Sequence, residues 1–255
     1  MSDDNAVLYE VDGGVARLTL NRPEKRNALN EALIAGLKDA LRKANEDAAV
    51  RVAVITGAGV DFCSGADLAS LQKITGGSVG ENTDDARSLM ELFVLIRQVS
   101  IPVVAAVRGK ALAGGCGLAS ACDIVLASAN ARFGYPEVKI GFVPAMVTAI
   151  LRRNVSEKRA FELLTRGTEI TAEEARELGF VNQILSEENF AAEVTAYARG
   201  FELVSKSAIG LTKTLLYQID GMAFGDALGT GVDVNVIARM TEDCQKGIAG
   251  FLKKT

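Results

Sequence analysis

The sequence predicts an α/β core that gives way to an all-helical C-terminal region, and three observations carry that prediction. Continuous β-branched runs, RVAVITG and IPVVAAVRG, each end in glycine, the pattern of strands covered on both faces. Apolar residues between such runs recur at helical spacing. From about Arg152 charge and helical periodicity take over, so residues 1–189 read as the α/β core and residues 190–255 as helices.

The elements follow in order. AVLYEVDGGVARLTLN alternates apolar and polar residues on either side of Asp12-Gly13-Gly14, which predicts a hairpin, because Asp-Gly-Gly supplies the positive φ of a tight turn. Leu33, Leu37, Leu41 and Ala44 then repeat at helical spacing, with Asn27 or Asn30 as the cap. The two β-branched runs give buried strands, and CDIVLAS repeats their pattern. Between them, QKITGGSVGENTDDA, residues 72–86, reads as a long irregular connection. AAEVTAYARGFELV and SAIGLTKTLLYQ each read as a helix with one apolar face. No internal repeat or low-complexity tract interrupts the chain.

Composition excludes several classes of function. The 28 basic residues are scattered among 32 acidic ones with no basic run, which leaves no electrostatic footprint for nucleic acid or an anionic membrane. No apolar run reaches transmembrane length, and MSDDNAVLYE is acidic where a leader would be basic and then apolar, so a cytosolic protein is expected. The chain has no histidine, which removes Ser-His-Asp and Cys-His nucleophile systems and imidazole acid–base catalysis. Cys63, Cys116, Cys122 and Cys244 lack metal-ligand or redox-pair spacing, and read as small hydrophobes.

Two Gly-rich turns, FCSGADL and ALAGGCGL, each follow a buried strand and are small enough to bring backbone N–H groups against a ligand. A pair of such donors, one at a helix start where the macrodipole adds to it, suits a developing oxyanion. Thr56-Gly57 and Tyr135-x-x-x-Lys139 also invite a short-chain dehydrogenase reading. The physics weighs against that reading and leaves it a remote alternative: the phosphate turn would have to close the first strand, and Pro136 directly after Tyr135 opposes a helix carrying both side chains on one face.

NRPEKRNALN, FCSGADL, IPVVAAVRGKALAGGCGLASACDIVLAS, ARFGYPEVKIGFVP, ARELGFVNQIL and GIAGFLKK resemble, in order and over nearly the whole chain, the enoyl-CoA hydratase/isomerase, or crotonase, family. The resemblance implies a spiral of ββα turns with a C-terminal trimerisation region, an acyl-CoA thioester as substrate, no metal or redox cofactor, and a homotrimer or dimer of trimers. By similarity, the Ala66 and Gly114 N–H groups form the oxyanion hole. Residues 22–29 and 66–68 would border the CoA arm, with Arg22, Lys25, Arg26, Ala28, Asp67, Leu68 and Tyr135 among the contacts, and Lys253 or Lys254 would reach the CoA phosphates of a neighbouring subunit.

Hydratases of this family usually carry two glutamates, in Gly-Gly-Cys-Glu and Phe-Gly-x-Pro-Glu patterns. Here Gly117 stands at the first position and Glu137 at the second. By elimination Glu137 is the expected side-chain acid–base group, because Asp123 sits directly before IVLAS where capping or an ion pair suits it, and a neutral Tyr135 phenol or Cys116 thiol is a poor base. Three outcomes follow from the resemblance: a hydratase, in particular one similar to bacterial hydratases of methylglutaconyl-CoA type; a Δ3,Δ2-enoyl-CoA isomerase, which needs only one base; or a CoA-binding member without turnover. A glutaconyl-type substrate would need a cation for its distal carboxylate, and Lys73 and Arg87 are the candidates.

Overall fold

The computed structural model describes residues 5–253, and the Leu68 side chain and Lys254 lie outside the described residues. Strands β1 (Val7–Asp12) and β2 (Val15–Leu20) form the hairpin, with Gly13 at φ +58° in its turn. They open a six-stranded sheet in the order β1-β2-β3-β4-β6-β9, in which β3 (Val52–Gly57), β4 (Val103–Val107), β6 (Ile124–Ser128) and β9 (Gln183–Leu185) run parallel to β2. A second sheet of three short strands, β5 (Lys110–Leu112), β7 (Arg132–Gly134) and β8 (Glu169–Thr171), stacks the next turn of the spiral.

The β-branched runs are apolar throughout because both faces of the large sheet are covered. Ala53, Ile55, Val103 and Ala105 meet Leu33, Leu37 and Leu41 of α1 (Glu31–Glu46) and Leu92 and Ile96 of α3 (Val79–Gln98). Val52, Val54, Val104 and Leu126 meet Phe190 and Val194 of α8 (Phe190–Arg199) on the other face. Each fully buried Val, Leu or Ile contributes about 1.5–3 kcal/mol, so alternate residues of one strand hold two different helical layers to it.

Asn30 caps α1, its side chain accepting from the Leu33 N–H at 2.9 Å. The alternative cap, Asn27, is buried: it accepts from the Arg22 N–H at 2.9 Å and donates to the Ala58 and Asp61 carbonyls at 2.9 and 2.8 Å. It fastens the loop after β2 to the loop after β3.

Residues 72–86 are not irregular. They end α2 (Leu68–Gly76) and begin α3, with a break at Gly77 and Ser78. A reciprocal capping box starts α3, the Ser78 hydroxyl taking the Glu81 N–H and the Glu81 carboxylate taking the Ser78 N–H. The early turns of α3 point polar side chains to solvent, and burial begins only at Leu92, which removes the apolar period that would mark a helix.

Beyond α8 come α9 (Lys206–Gln218), α10 (Phe224–Arg239) and α11 (Glu242–Leu252). Lys213 and Tyr217 of α9 reach into the core, both bonding Asp123 at 2.7 Å. The Asp243 carboxylate of α11 accepts from the Ser205 and Ser207 hydroxyls at the start of α9, at 2.6 and 2.9 Å. By contrast α10 buries no residue, and Leu228, Val232 and Val236, one turn apart, are 57%, 63% and 54% exposed. No helix among the described residues is long and apolar enough to cross a membrane.

Candidate active site

The two Gly-rich turns meet. Cys63 pairs with Ala111, giving its N–H to the Lys110 carbonyl at 3.0 Å and taking the Leu112 N–H at 2.9 Å. Space between the turns admits no side chain. A Cβ on Gly65 would lie 2.8 Å from the Ala113 Cβ, and one on Gly115 would lie 2.3 Å from the Cys63 carbonyl oxygen.

This pairing leaves two backbone donors on one side. Leu29 binds the chain on either side of Ala66, through Leu29 N–H to the Gly65 carbonyl at 2.7 Å and Asp67 N–H to the Leu29 carbonyl at 2.9 Å, so the Ala66 N–H faces away from Leu29. Ala113 turns the chain with φ +51° and ψ −125°, a conformation that favours glycine, and its N–H is held by the Gly134 carbonyl at 2.8 Å. Helix α4 (Gly114–Ala121) starts there, and its first N–H groups have no intrahelical partner. Among the described residues neither the Ala66 nor the Gly114 N–H finds an acceptor. Gly65 brings them together: its Cβ position is only 3.5 Å from the Gly114 nitrogen.

Glu137 lies in a short 3-10 helix, Pro136–Ile140, whose tight turn ends at Gly141 with φ +78°. The Phe142 N–H closes it onto the Glu137 carbonyl at 3.0 Å. The carboxylate is half-buried, and its Oε2 is sealed from solvent without a hydrogen-bond partner among the described residues. Burial pushes the Glu137 carboxyl above the ordinary carboxylate range. Two residues upstream, the Tyr135 hydroxyl lies 3.1 Å from Ser120 Oγ of α4, which sets the Glu137 turn beside that helix. The Ala113–Gly134 hydrogen bond ties the Glu137 segment to the turn that carries the Gly114 N–H.

At Gly117 the structure shows what the sequence does not. Its Cβ position is filled by Val147 of α5 (Ala145–Asn154), whose Cγ1 would lie 2.2 Å away, with Phe93 of α3 at 3.3 Å. The place of a second acid is occupied by apolar carbon.

The other sequence-derived residues divide. Arg22 and Asp67 engage each other at 2.9 Å, and the guanidinium also donates to the Ala28 carbonyl at 2.6 Å, so this pair clamps residues 22–29 to the Ala66 turn. Asp67 also caps α2, taking the Ala69 N–H at 2.8 Å. Its hydrogen bonds to Ala69 and Arg22, with the charges of Arg22 and Lys25, outweigh burial and hold its carboxyl below the usual range. Lys25 and Arg26 are exposed, whereas Ala28 is buried behind them. Lys73 is exposed in the last turn of α2, and Arg87 is exposed on α3 beside Asp84 at 3.6 Å. Lys253 is exposed at the end of α11. Tyr135 differs from expectation: it is 1% exposed, its hydroxyl 3.1 Å from Ser120 Oγ, so its side chain faces the core. Asp123 forms the ion pair expected of it, with Lys213 as partner. Cys63, Cys116 and Cys122 are buried, and burial pushes the Cys63 and Cys116 thiols up to about 12. Val147, Ser120 and Lys213 had no local sequence signal, because each acts across the fold.

The family described as enoyl-CoA hydratase/isomerase matches residues 10–255. A Thermus thermophilus chain that carries an enoyl-CoA hydratase name is 42% identical over 242 residues, 95% of this chain and 96% of its own. The 2,3-dehydroadipyl-CoA hydratase of Escherichia coli is 35% identical over 241 residues, 94% of this chain and 92% of its own. The crystal structure of an enoyl-CoA hydratase of Mycobacterium smegmatis superposes with a TM-score of 0.93 at 30% identity, covering 98% of this chain and 96% of that one. Two glycine turns packed into one pair of open N–H donors, a carboxylate tied beside them, and a match spanning almost the whole length lead to one conclusion: this chain belongs to the enoyl-CoA hydratase/isomerase family.

Proposed function

We propose that the protein is an enoyl-CoA hydratase working with one carboxylate. The observation that carries this reading is the partnerless, buried Glu137 oxygen tied beside the open Ala66 and Gly114 N–H groups. The thioester oxygen sits between the two N–H groups, which stabilise the enolate that forms as C3 is attacked. Glu137 holds a water, takes one of its protons as the C3–O bond forms, and returns that proton to C2. The sum is addition of water across the double bond, with Glu137 regenerated. Water adds with no net change of oxidation state and the two N–H groups carry the oxyanion, so the reaction calls for no redox group or metal.

The wall of Val147 and Phe93 over Gly117 favours a second reading, Δ3,Δ2-enoyl-CoA isomerase, in which Glu137 carries a proton between C4 and C2. Crotonyl-CoA, 3-hexenoyl-CoA and 3-methylglutaconyl-CoA in 18O-water separate the two. A hydratase places labelled oxygen on C3, and an isomerase converts 3-hexenoyl-CoA with no label. A protein that leaves all three unchanged is neither. For a substrate with a distal carboxylate, as the name of the Escherichia coli relative implies for that enzyme, Lys73 and Arg87 are the cations we assign. Lys25 and Arg26, exposed on the segment that bonds the Ser64 N–H, are the cations we assign to the CoA phosphates. The buried free thiols suit a reducing cytosol.

Proline at position 114 removes one oxyanion donor. Helices accept proline at their first position, but the residue before it is held to extended conformations, which opposes the left-handed Ala113. Gly114→Pro is expected to cost on the order of 100-fold in turnover. A folded variant with near-normal turnover would remove the Gly114 N–H from the mechanism.

The exposed Leu228, Val232 and Val236 stripe of α10 is the face we assign to contact between subunits, as a trimer or a dimer of trimers. Light scattering should show no stable monomer at micromolar concentration.

A further inference from the structure

We infer that Tyr135 and Ser120 form a positioning latch, which holds the Glu137 turn against the first turn of α4 and so sets where the carboxylate meets the reacting carbons. The inference rests on the assignment of Glu137 as the acid–base group.

The geometry fixes the direction of the latch. The Ser120 hydroxyl has one hydrogen, and it goes to the Cys116 carbonyl at 2.7 Å. The 3.1 Å contact between Ser120 Oγ and the Tyr135 hydroxyl therefore has tyrosine as donor. A chain runs from the Tyr135 O–H through the Ser120 O–H to a carbonyl in the first turn of α4, two residues from Gly114. Burial, together with Cys116 alongside, keeps the phenol neutral, so Tyr135 stays a donor.

Packing alone does not explain a hydroxyl here. The ring is 1% exposed, and a phenylalanine would fill the same volume without a buried polar group that must be paired. The hydroxyl meets Ser120 Oγ with the Cys116 thiol beside it, and Ser120 is itself held, its carbonyl taking the Asn154 side-chain N–H at 3.1 Å. A second tie lies one residue upstream, where the Gly134 carbonyl takes the Ala113 N–H at 2.8 Å. Downstream, Pro136 has a ring-locked φ, so an anchor at Tyr135 passes rigidly to Glu137. Oxyanion donor and base thus sit on two segments joined by a backbone bond and by side-chain contacts at Tyr135.

Tyr135→Phe removes only the latch donor. It is expected to lower kcat about tenfold, since small misplacement of a reacting group is costly, while KM stays within about twofold. A carboxylate released toward solvent titrates nearer its ordinary value, so the acid limb of the kcat/KM profile should move to lower pH. Ser120→Ala should do the same from the other side of the bond. The double variant should be no worse than either single one, because the two residues act as a unit. If Tyr135→Phe or Ser120→Ala lowers only the thermal midpoint and leaves kcat and the acid limb in place, the latch is wrong. Losses in kcat that multiply in the double variant overturn it equally. Glu137→Gln runs alongside as the control. Its inactivity beside an unaffected Tyr135→Phe rejects the latch alone, whereas an active Glu137→Gln rejects the acid–base assignment and the latch with it.

Discussion

Glu137→Gln is expected to give a folded protein that still binds acyl-CoA esters and turns them over at least about 10²–10⁴-fold more slowly. The amide keeps the size and shape of the carboxylate, so the substitution removes proton transfer and little else. Histidine is absent, Asp123 is spent on Lys213 and Tyr217, and Tyr135 is a buried donor, so no other side chain near the turn can take over. Wild-type activity should fall on the acid side at a pH above the ordinary carboxylate range, because burial raises the Glu137 carboxyl and the base must be ionised. The same shift has a consequence for stability. A carboxyl raised in the folded state binds its proton more tightly there than in the unfolded chain, so stability falls as pH rises from the ordinary glutamate value through the raised one. The variant has no such dependence at this position, and its thermal midpoint relative to wild type should decrease as the pH is lowered through that window. Retention of more than a few per cent of turnover by Glu137→Gln would mean the acid–base group is elsewhere.

Asp123→Ala is expected to cost about 3–5 kcal/mol of folding free energy, the range for breaking a buried ion pair from one side. Asp123 accepts three hydrogen bonds at 2.7 Å, from the Val103 N–H, the Lys213 ammonium and the Tyr217 hydroxyl. Lys213 and Asp123 side chains are only 7% and 14% exposed. Without the carboxylate, Lys213 keeps the Ile96 and Ile101 carbonyls but loses its counter-charge, and burial already works to lower its pKa. Removing the lysine as well, in Asp123→Ala with Lys213→Met, should recover part of the loss, because no charge is then stranded. Denaturant unfolding at neutral pH measures both. A loss below about 1 kcal/mol for the single variant would show that water reaches the site and that the pair is not what seats α9.

What the sequence shows and what it hides separate on physical grounds. The hairpin, α1 and the buried strands are legible because period and turn chemistry act over a few residues. Residues 72–86 were misleading, since the helix there is polar on nearly every face. Its start was nonetheless written in Ser78-Val-Gly-Glu81, a capping box that outweighs missing amphipathicity. Glu137 and the two glycine turns could be singled out, and the turns do pack together. The family resemblance puts Tyr135 among the CoA contacts, yet its side chain points inward to Ser120. Arg22 and Asp67, expected along the CoA arm, direct their charges at each other. Such pairings depend on residues brought together from distant parts of the chain, where no local spacing registers them.

The contact between Gly117 and Val147 bears on which descendants of this protein are reachable. With Val147 Cγ1 lying 2.2 Å from where a Cβ would stand, any side chain at position 117 collides before it can contribute chemistry. Trimming Val147 first opens a void beside Phe93 with nothing yet to fill it, at the cost usual for lost methyl groups in a core. A second carboxylate at position 117 therefore calls for a paired substitution at Val147, which makes these two positions a single unit for redesign of the site.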